Sequence, residues 1–588
     1  MTDRLTRRRM LALSSVAAGG AVLGSGPIAA QASHESYDET IESHDGTDIA
    51  TTVYRPAGAS ADEPVPMILH SHGWSGSRTS GEGSFQRELD RGFGVLSFDQ
   101  RGHGESGGQA HVQNPELEGR DVIAVLDYVE ALEWVARDVG RSGSTSDGAA
   151  SDPTVFAIGG SYGGAYQFVG ALTEIARRGS TRFDALAPQI TWHDLSQSLA
   201  PQGVVRTAWI AALYALGAGN VPEHIHRGFV YGLTTGQWPN GDTPGEPDLD
   251  NRFARNGPSG FVDDGVHLDV PVLMGQGISD NLFNLNQAWR NFEETLTDEA
   301  RERSAVVGYN GGHALPNLLP AGGTWNFQDA CTSGGSDGIA GGDVISSAGF
   351  EELRLRFFES VCDGEGDARD IVGSPYSLTT ADGERCLQLD VLDDRTSLAA
   401  GVDLSVRNDG AGNLELQRAD GVDDSAVANP DEFPAAFDPD AVAEAFEGTG
   451  FESDVEGGTA GTTTGVGAPV HLELAAGPLT VGGVPELSAA VTSVGVDQRV
   501  FFALSVGETP ATARVVQNNM LPLREPEPVV GADRTVELPG VAVDVAEGET
   551  LYLTLSAISD MSFAHGSIRT PGAVLLEDLT VDVPLVDE

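Results

Sequence analysis

The stretch TVFAIGGSYGGAYQFVGALTEIARR, residues 154–178, contains the clearest structural signal in the sequence. Its first part, TVFAIGG, is an apolar run rich in β-formers, which predicts a buried strand. The part that follows predicts a helix, and Ser161 lies on the tight turn between the two. Glycines around such a turn allow strained backbone and close approach of neighbouring chain. A serine at a strand–turn–helix corner is typical of a nucleophile elbow.

The pattern Gly-x-Ser-x-Gly alone would not select this serine, because the chain has 75 glycines in 588 residues and the pattern recurs by chance. It is also found around Ser106 in GESGG and around Ser336 in GGSDG. Neither of these serines directly follows a strand pattern. The sequence therefore favours Ser161 as the nucleophile.

Apolar strand patterns alternate with helical patterns on both sides of this stretch, from about residue 47 to 360. This alternation predicts a mostly parallel sheet covered by helices on both faces, in a catalytic domain over 36–368. Residues 195–265 interrupt the alternation and are expected to form a helical cap. Short alternating runs over 371–588 predict an all-β sandwich or jelly roll. The predicted class is an α/β-hydrolase fold followed by a β-domain.

A nucleophilic serine needs a base and an acid that orients the base. In this fold the acid and then the histidine follow the serine along the chain, each after a later strand. VPVLMGQGISDN places Asp280 after one strand, and SAVVGYNGGHA places His313 after the next. Other candidates precede their strand or lie in the cap or an early turn: Asp263, Asp264, Asp269, His267, His224, His226 and His103. Asp280 and His313 are the predicted partners of Ser161.

An oxyanion hole needs two donors directed at the oxygen that becomes negatively charged. The backbone N–H of Tyr162, the residue after the nucleophile, is the first predicted donor. The second is expected from HSHGWSGS, residues 70–77, where Trp74 could donate through its backbone N–H or its indole. The alternative is that this segment is only a tight turn.

The charge balance excludes some partners. The net charge is −53, from 87 acidic and 34 basic residues, and every basic residue is arginine. A dense carboxylate surface of this kind suits multimolar salt, where screening relieves repulsion, and resembles that of secreted haloarchaeal proteins. It argues against binding to nucleic acid or to an anionic membrane.

Residues 1–32 have the features of a twin-arginine export signal. Arg7 and Arg8 precede a weakly apolar stretch, and Ala30-Gln31-Ala32 offers a cleavage site. An uncleaved N-terminal anchor is the alternative. We expect a secreted protein without a membrane anchor after cleavage. Cys331, Cys362 and Cys386 allow three disulfide pairings, among which the sequence does not choose.

Several motifs resemble those of the Xaa-Pro dipeptidyl-peptidase-like serine hydrolases, a family that includes cocaine-esterase-type acyl hydrolases and α-amino acid ester hydrolases. They are DQRGHGESGG (99–108), GGSYGG (159–164), ALAPQITWHDL (185–195), GISDNLF (277–283) and GGHA (311–314). The resemblance implies a helical cap, a C-terminal jelly roll, and a triad of Ser161, Asp280 and His313.

The chain departs from this family pattern at two places. Where the family often has Pro-Tyr, with the tyrosine hydroxyl completing the oxyanion hole, this chain has Gly73-Trp74. Leu282 and Phe283 stand where α-amino acid ester hydrolases have acidic residues that hold the substrate amine. Asp194, with the neighbouring Trp192, is the remaining candidate for substrate binding.

The sequence thus predicts an exported serine hydrolase that cleaves a small ester, amide or peptide through an acyl-enzyme, without a metal or a cofactor. Dipeptidyl-peptidase and acyl-esterase activities share this chemistry, and the triad does not separate them. The alternatives are a non-catalytic surface protein that binds through its β-domain, or a calcium-dependent module suggested by segments such as RNDGAGN.

Overall fold

A computed structural model describes residues 33–137, 152–313, 315, 329–332, 348–364, 366–408, 414–418, 469–556, 559, 561–562 and 572–587. Within these residues a central sheet of ten strands is covered by helices, and three smaller antiparallel sheets follow it. Every helix of the described residues is too short or too polar to cross a bilayer.

The central sheet has the strand order β1-β2-β4-β3-β5-β6-β7-β8-β9-β10. Its middle, from β4 to β9, is parallel, while β1, β2 and β10 pair antiparallel at the two edges. The parallel strands are buried on both faces, which explains their continuous apolar runs. The strands are β1 (Glu35–Glu42), β2 (Asp48–Arg55), β3 (Met67–Ser71), β4 (Gly94–Phe98), β5 (Val155–Gly160), β6 (Phe183–Gln189), β7 (Leu273–Gly277), β8 (Ala305–Tyr309), β9 (Tyr376–Thr379) and β10 (Cys386–Leu389).

The sheet continues past the domain boundary that the sequence suggested. We expected the β-domain to begin at residue 371, but β9 pairs parallel with β8 and β10 pairs with β9. Tyr376 and Leu378 are buried in the core of the first domain. A short strand between Gly- and Asp-containing turns has the same residue pattern in either sheet. The change of pattern near residue 371 therefore does not mark the boundary between the two domains. A disulfide joins Cys331 to Cys386 on β10, and Cys362 is exposed.

Helices cover both faces of this sheet. One face packs against α2 and α3, with residues such as Val125 and Phe168 in the core, and the other against α1 and α11, with Leu89 and Phe358. The helices outside the cap are α1 (Gln86–Asp90), α2 (Glu118–Glu130), α3 (Tyr162–Arg178), α9 (Leu285–Arg290), α10 (Asp298–Glu302), α11 (Ala348–Cys362) and α12 (Ala368–Val372).

Between β6 and β7, over the segment expected to form a cap, the chain forms α4 (Leu195–Leu199), α5 (Thr207–Gly217), α6 (Glu223–Thr235), α7 (Leu249–Ala254) and α8 (Pro258–Asp263). Helices α4 to α7 share an apolar cluster with Tyr162 and Phe283 of the catalytic domain. The cap therefore packs directly over the end of the sheet where Ser161 lies.

The C-terminal region is antiparallel. One sheet has the order β12-β11-β22-β15-β19, a second has β13-β21-β16-β17 with β18 beside β16, and β14 pairs with β20. In β15 buried and partly buried side chains alternate, as expected for a strand with one face on a core. The acidic stretch 420–465 lies outside the described residues. The strands are β11 (Thr396–Asn408), β12 (Leu414–Arg418), β13 (Val470–Ala476), β14 (Leu479–Gly483), β15 (Glu486–Val494), β16 (Gln498–Gly507), β17 (Arg514–Val515), β18 (Leu521–Glu525), β19 (Ala532–Glu537), β20 (Val541–Val545), β21 (Thr550–Ser556) and β22 (Gly572–Val583).

Candidate active site

Ser161 lies between the end of β5 and the start of α3, with φ 59° and ψ −122°. Its backbone N–H donates to the carbonyl of Gln189 at 3.0 Å, which ties the turn to β6. The surrounding glycines are required by packing. A Cβ on Gly159 would lie 2.4 Å from the carbonyl oxygen of Gly163, and one on Gly163 would lie 2.3 Å from that of Ser71. This is the strained strand–turn–helix corner that the sequence predicts.

Asp280 and His313 lie on the loops after β7 and β8 and contact each other. His313 Nδ1 is 2.7 Å from Asp280 Oδ2, and the His313 backbone N–H donates to the same oxygen at 2.9 Å. The other oxygen, Oδ1, accepts the backbone N–H groups of Leu282 and Phe283 at 2.9 and 2.7 Å. The fully buried carboxylate is thus hydrogen-bonded on both oxygens. Because Nδ1 donates to it, Nε2 of the neutral imidazole is the acceptor.

The Gly-rich segment before His313 allows its loop to approach the Asp280 loop. Gly312 has φ 102°, and a Cβ there would lie 2.6 Å from the Cβ of Asp280. A Cβ on Gly277 would lie 2.3 Å from the carbonyl oxygen of Gly311. Side chains at these positions would separate the two loops, so the glycines are part of what brings the imidazole to the carboxylate.

Ser161 and His313 line one cavity of about 810 Å³. Its walls come from the ends of β3, β5 and β6, from α1 and α11, and from the cap helix α5. The side chains of Trp74, Trp209, Leu213 and Leu216 line the cap side. Trp209 and Phe283 meet the imidazole of His313 edge-on, with ring centroids 6.0 and 5.2 Å away. Aromatic rings therefore fix the plane of the imidazole from two sides.

The two predicted oxyanion donors differ in whether their N–H groups already have a partner. Tyr162 is the first residue of α3, where backbone N–H groups have no partner within the helix. Trp74 also lines the cavity, but its indole N–H donates to the carbonyl of Leu213 at 3.0 Å. The prediction that the Trp74 indole donates to the oxyanion is therefore wrong, because its N–H holds α5 against the loop after β3. The backbone N–H of Trp74 stays a prediction.

The two substrate-binding predictions do not agree with the structure. The Asp194 side chain caps α4 by accepting the Gln197 N–H at 2.9 Å, and it lines a separate cavity of about 510 Å³. Trp192 is only 2% exposed, and its indole donates to the carbonyl of Asn256 at 2.9 Å. Both residues follow β6, where the chain turns into the cap. Asp194 therefore serves as a helix cap, and Trp192 is a core side chain.

Other histidines near the cavity are held neutral by burial. Desolvation lowers the pKa of His70 to about 3 and that of His103 to about 4. The pKa of His72 is also lowered by burial, and its Nε2 accepts the backbone N–H of Gln100 at 3.0 Å. His103 contacts the carbonyl of Arg101, in keeping with the structural role expected for it. These rings shape the loops around the site rather than compete with His313.

The motifs did not reveal the residues that support the nucleophile turn. The Gln113 amide donates to the carbonyl of Tyr162 at 3.2 Å, and Gln100 donates to the same oxygen at 3.4 Å. Glu118 accepts the backbone N–H groups of His111 and Asn114, which fixes the loop that carries Gln113. Burial raises the pKa of Glu118 to about 8. No sequence spacing signals such a network, because it joins the connection between β4 and α2, the first residue of α2 and the first residue of α3.

Comparisons with known proteins show what this chain resembles. Residues 45–314 match the X-Pro dipeptidyl-peptidase (S15) family. YcjY of Escherichia coli (strain K12) and PA2218 of Pseudomonas aeruginosa (strain PAO1) are each 28% identical, over 120 and 114 residues. These alignments span 19% of this chain in both cases, and 39% and 30% of the two relatives.

Solved structures resemble nearly the whole chain. An aminopeptidase from a marine sediment Thaumarchaeota archaeon has a TM-score of 0.58 at 14% identity, covering 97% of this chain and 99% of its own. The CocE/NonD family hydrolase SACOL2612 from Staphylococcus aureus has a TM-score of 0.54 at 12% identity, covering 94% of each chain. An α-amino acid ester hydrolase gives 0.54 at 13%, covering 96% of this chain and 98% of its own.

At such identities these likenesses concern the fold, and the predicted α/β-hydrolase class with a C-terminal all-β region is confirmed. The resemblance expected from the motifs is confirmed as well, since residues 45–314, a little under half of the chain, match the X-Pro dipeptidyl-peptidase (S15) family.

Proposed function

We propose that the protein is a serine hydrolase that cleaves an ester or amide through an acyl-enzyme, with Ser161 as nucleophile, His313 as base and Asp280 as orienting acid. The observation that carries the proposal is the shared cavity of Ser161 and His313 together with the 2.7 Å contact between His313 and Asp280. Nucleophile, base and orienter thus occur in the chain order and loop positions that are typical of this fold.

In this reaction the Ser161 hydroxyl attacks the substrate carbonyl and its proton passes to Nε2 of His313. The buried Asp280 carboxylate stabilises the imidazolium that forms. The oxyanion lies against the backbone N–H of Tyr162, with the backbone N–H of Trp74 as second donor. The imidazolium then gives its proton to the leaving alcohol or amine, and water activated by His313 releases the acid.

The cavity walls favour an uncharged, apolar acyl group. Residues 207–222, which include α5, contain no charged residue in a chain of net charge −53. The charged side chains on the opposite wall are paired: Glu88 with Arg354 and Arg87 with Glu351, each at 3.1 Å. These carboxylates are therefore already paired with arginine, which leaves them less available to a free substrate amine. We infer that an acyl esterase with uncharged substrates fits better than an enzyme selecting free α-amino groups.

A fluorophosphonate probe tests the reaction class. We expect stoichiometric labelling of the wild-type protein and turnover of short-chain aryl esters. Xaa-Pro anilides and aryl esters of free amino acids test the substrate class, and we expect uncharged acyl esters to have a kcat/KM at least about tenfold higher. No labelling and no hydrolysis would refute the enzyme proposal and favour a non-catalytic binding protein.

We further propose that the protein is exported and works at high salt. The support is the twin-arginine pattern at residues 7–8 and the net charge of −53. The Debye length falls from ~30 Å at 0.01 M to ~3 Å at 1 M, which removes most carboxylate repulsion. The melting temperature and the activity should therefore rise steeply between ~0.1 and ~2 M KCl and then flatten. A melting temperature that does not change over this range would refute the high-salt proposal.

A further inference from the structure

The turn that carries Asp280 is held by side chains from two other parts of the chain. Arg206, which precedes cap helix α5, is fully buried and donates to the carbonyls of Asn281 and Leu282. Asn519, from the C-terminal β-region, donates its amide N–H to the carbonyl of Asp280 at 2.8 Å. Three consecutive carbonyls of this turn therefore accept hydrogen bonds from outside the turn.

The loop that carries His313 is tied to the same turn. The Asn281 backbone N–H donates to the carbonyl of His313 at 2.9 Å, and its side-chain amide donates to that of Leu315 at 2.8 Å. Asn518 of the β-region donates to the same Leu315 carbonyl at 2.9 Å. Trp209 of the cap donates its indole N–H to Asn281 Oδ1 at 2.9 Å. The cap and the β-region thus hold both loops.

The segment that supplies Asn518 and Asn519 is itself firmly placed. Gln517 and Asn518 have positive φ angles of 48° and 59°, a backbone conformation that is uncommon for non-glycine residues. The Gln517 side chain accepts the Ala542 N–H at 2.9 Å and donates to the Thr379 carbonyl at 3.4 Å, on β9 of the central sheet. The position of Asn519 is therefore fixed relative to the central sheet.

We propose that Asn519 and Arg206 are positioning residues for the Asp280–His313 pair, so that the cap and the β-domain complete the catalytic apparatus; this rests on the proposed function. Neither residue lines the Ser161 cavity, so neither is placed to bind substrate. Both act through the backbone of the Asp280 turn, and Arg206 adds a buried positive charge near its carboxylate. A displacement of about 1 Å in such a pair can lower a rate by about a hundredfold.

Asn519→Ala tests the β-domain's part. We expect kcat and the rate of fluorophosphonate labelling to fall by about tenfold, the effect of one lost hydrogen bond, with KM within about twofold of wild type. The matched control is Asn286→Ala. Asn286, on α9, bonds the Leu538 carbonyl at 3.0 Å and the Gly540 N–H at 2.8 Å, across the same interface but without a bond to the carbonyls of the Asp280 turn. The control should lower the melting temperature at least as much and leave kcat within about twofold.

The proposal is overturned if Asn519→Ala keeps wild-type kcat, if the loss is in KM instead, or if Asn286→Ala loses as much kcat. A wild-type protein that is neither labelled nor active would overturn the proposed function and this inference together. Arg206→Lys, which keeps the buried charge, and Arg206→Met, which removes it, test the cap. A higher kcat in the lysine variant than in the methionine variant supports a positioning role for the charge of Arg206. Equal kcat values in the two variants overturn that role.

Discussion

Two turns in this molecule share the pattern Gly-x-Ser-x-Gly and differ in what their serines do. Ser106 follows β4, and its hydroxyl is used within the fold. Its Oγ donates to the carbonyl of Asp99 at 2.7 Å and accepts the backbone N–H of Ala50 at 2.8 Å. Ser161 instead lines the cavity that it shares with His313. Ser336, the third serine in this pattern, lies outside the described residues.

The glycines of the two turns explain why the pattern is ambiguous. Gly104, before Ser106, has φ 54°, and a Cβ there would lie 2.2 Å from the Asp99 carboxyl carbon. Gly159 and Gly163, around Ser161, are equally crowded by backbone oxygens. Both turns therefore need glycine, one because a side-chain carboxyl lies close and the other because backbone oxygens do. The pattern itself indicates only a tight turn. A catalytic serine is indicated by the strand before the turn, the helix after it, and the acid and histidine that follow later in the chain.

The largest effect is expected for Ser161→Ala. Of the two serines compared, Ser161 is the one that lines the cavity and is placed to attack a substrate. Labelling by a fluorophosphonate should be lost and kcat should fall by about six orders of magnitude, since nucleophile and base act as a unit. Mass spectrometry of the labelled protein checks the site. A label found on Ser106, or on Ser336, would reverse the comparison between the turns.

His313→Ala is expected to reduce kcat by about four to six orders of magnitude, because the serine then has no base. We expect none of the neutral histidines His70, His72 and His103 to replace His313 as the base. Steady-state kinetics on an aryl ester, with circular dichroism to verify folding, measures the effect. Near-normal turnover would show that another base serves Ser161.

Asp280→Asn is expected to cost somewhat less, about 10⁴ in kcat, because an amide at this position favours the wrong imidazole tautomer. The amide oxygen can still accept the N–H groups of Leu282 and Phe283, so the turn should remain folded. Burst kinetics with an aryl ester separates slow acylation from slow deacylation. A loss below about tenfold would contradict the assigned role of Asp280.

The sequence predicted the parts of the site that local pattern encodes. The β5–Ser161–α3 corner and the strand ends before Asp280 and His313 are visible as apolar runs that stop at Gly-rich or polar loops. What it missed depends on contacts between distant segments. The indole of Trp74 and the side chain of Asp194 are used in the cap, and no local pattern shows such partners. The residues that hold the Asp280 turn, Arg206 and Asn519, are separated from it by about 75 and 240 residues.

Ser106→Ala should have the smallest effect, and one of a different kind. The hydroxyl makes two partly buried hydrogen bonds that join the loop after β4 to Ala50 on β2. Its loss leaves the N–H of Ala50 unpaired, which costs about 1–3 kcal/mol of unfolding free energy. Fluorophosphonate labelling and kcat should stay within about twofold of wild type, because this turn does not line the cavity. Denaturant unfolding at constant high salt gives the free energy. Unchanged stability together with a large drop in kcat would mean that Ser106 acts in the reaction, and that Gly-x-Ser-x-Gly had been assigned to the wrong turn.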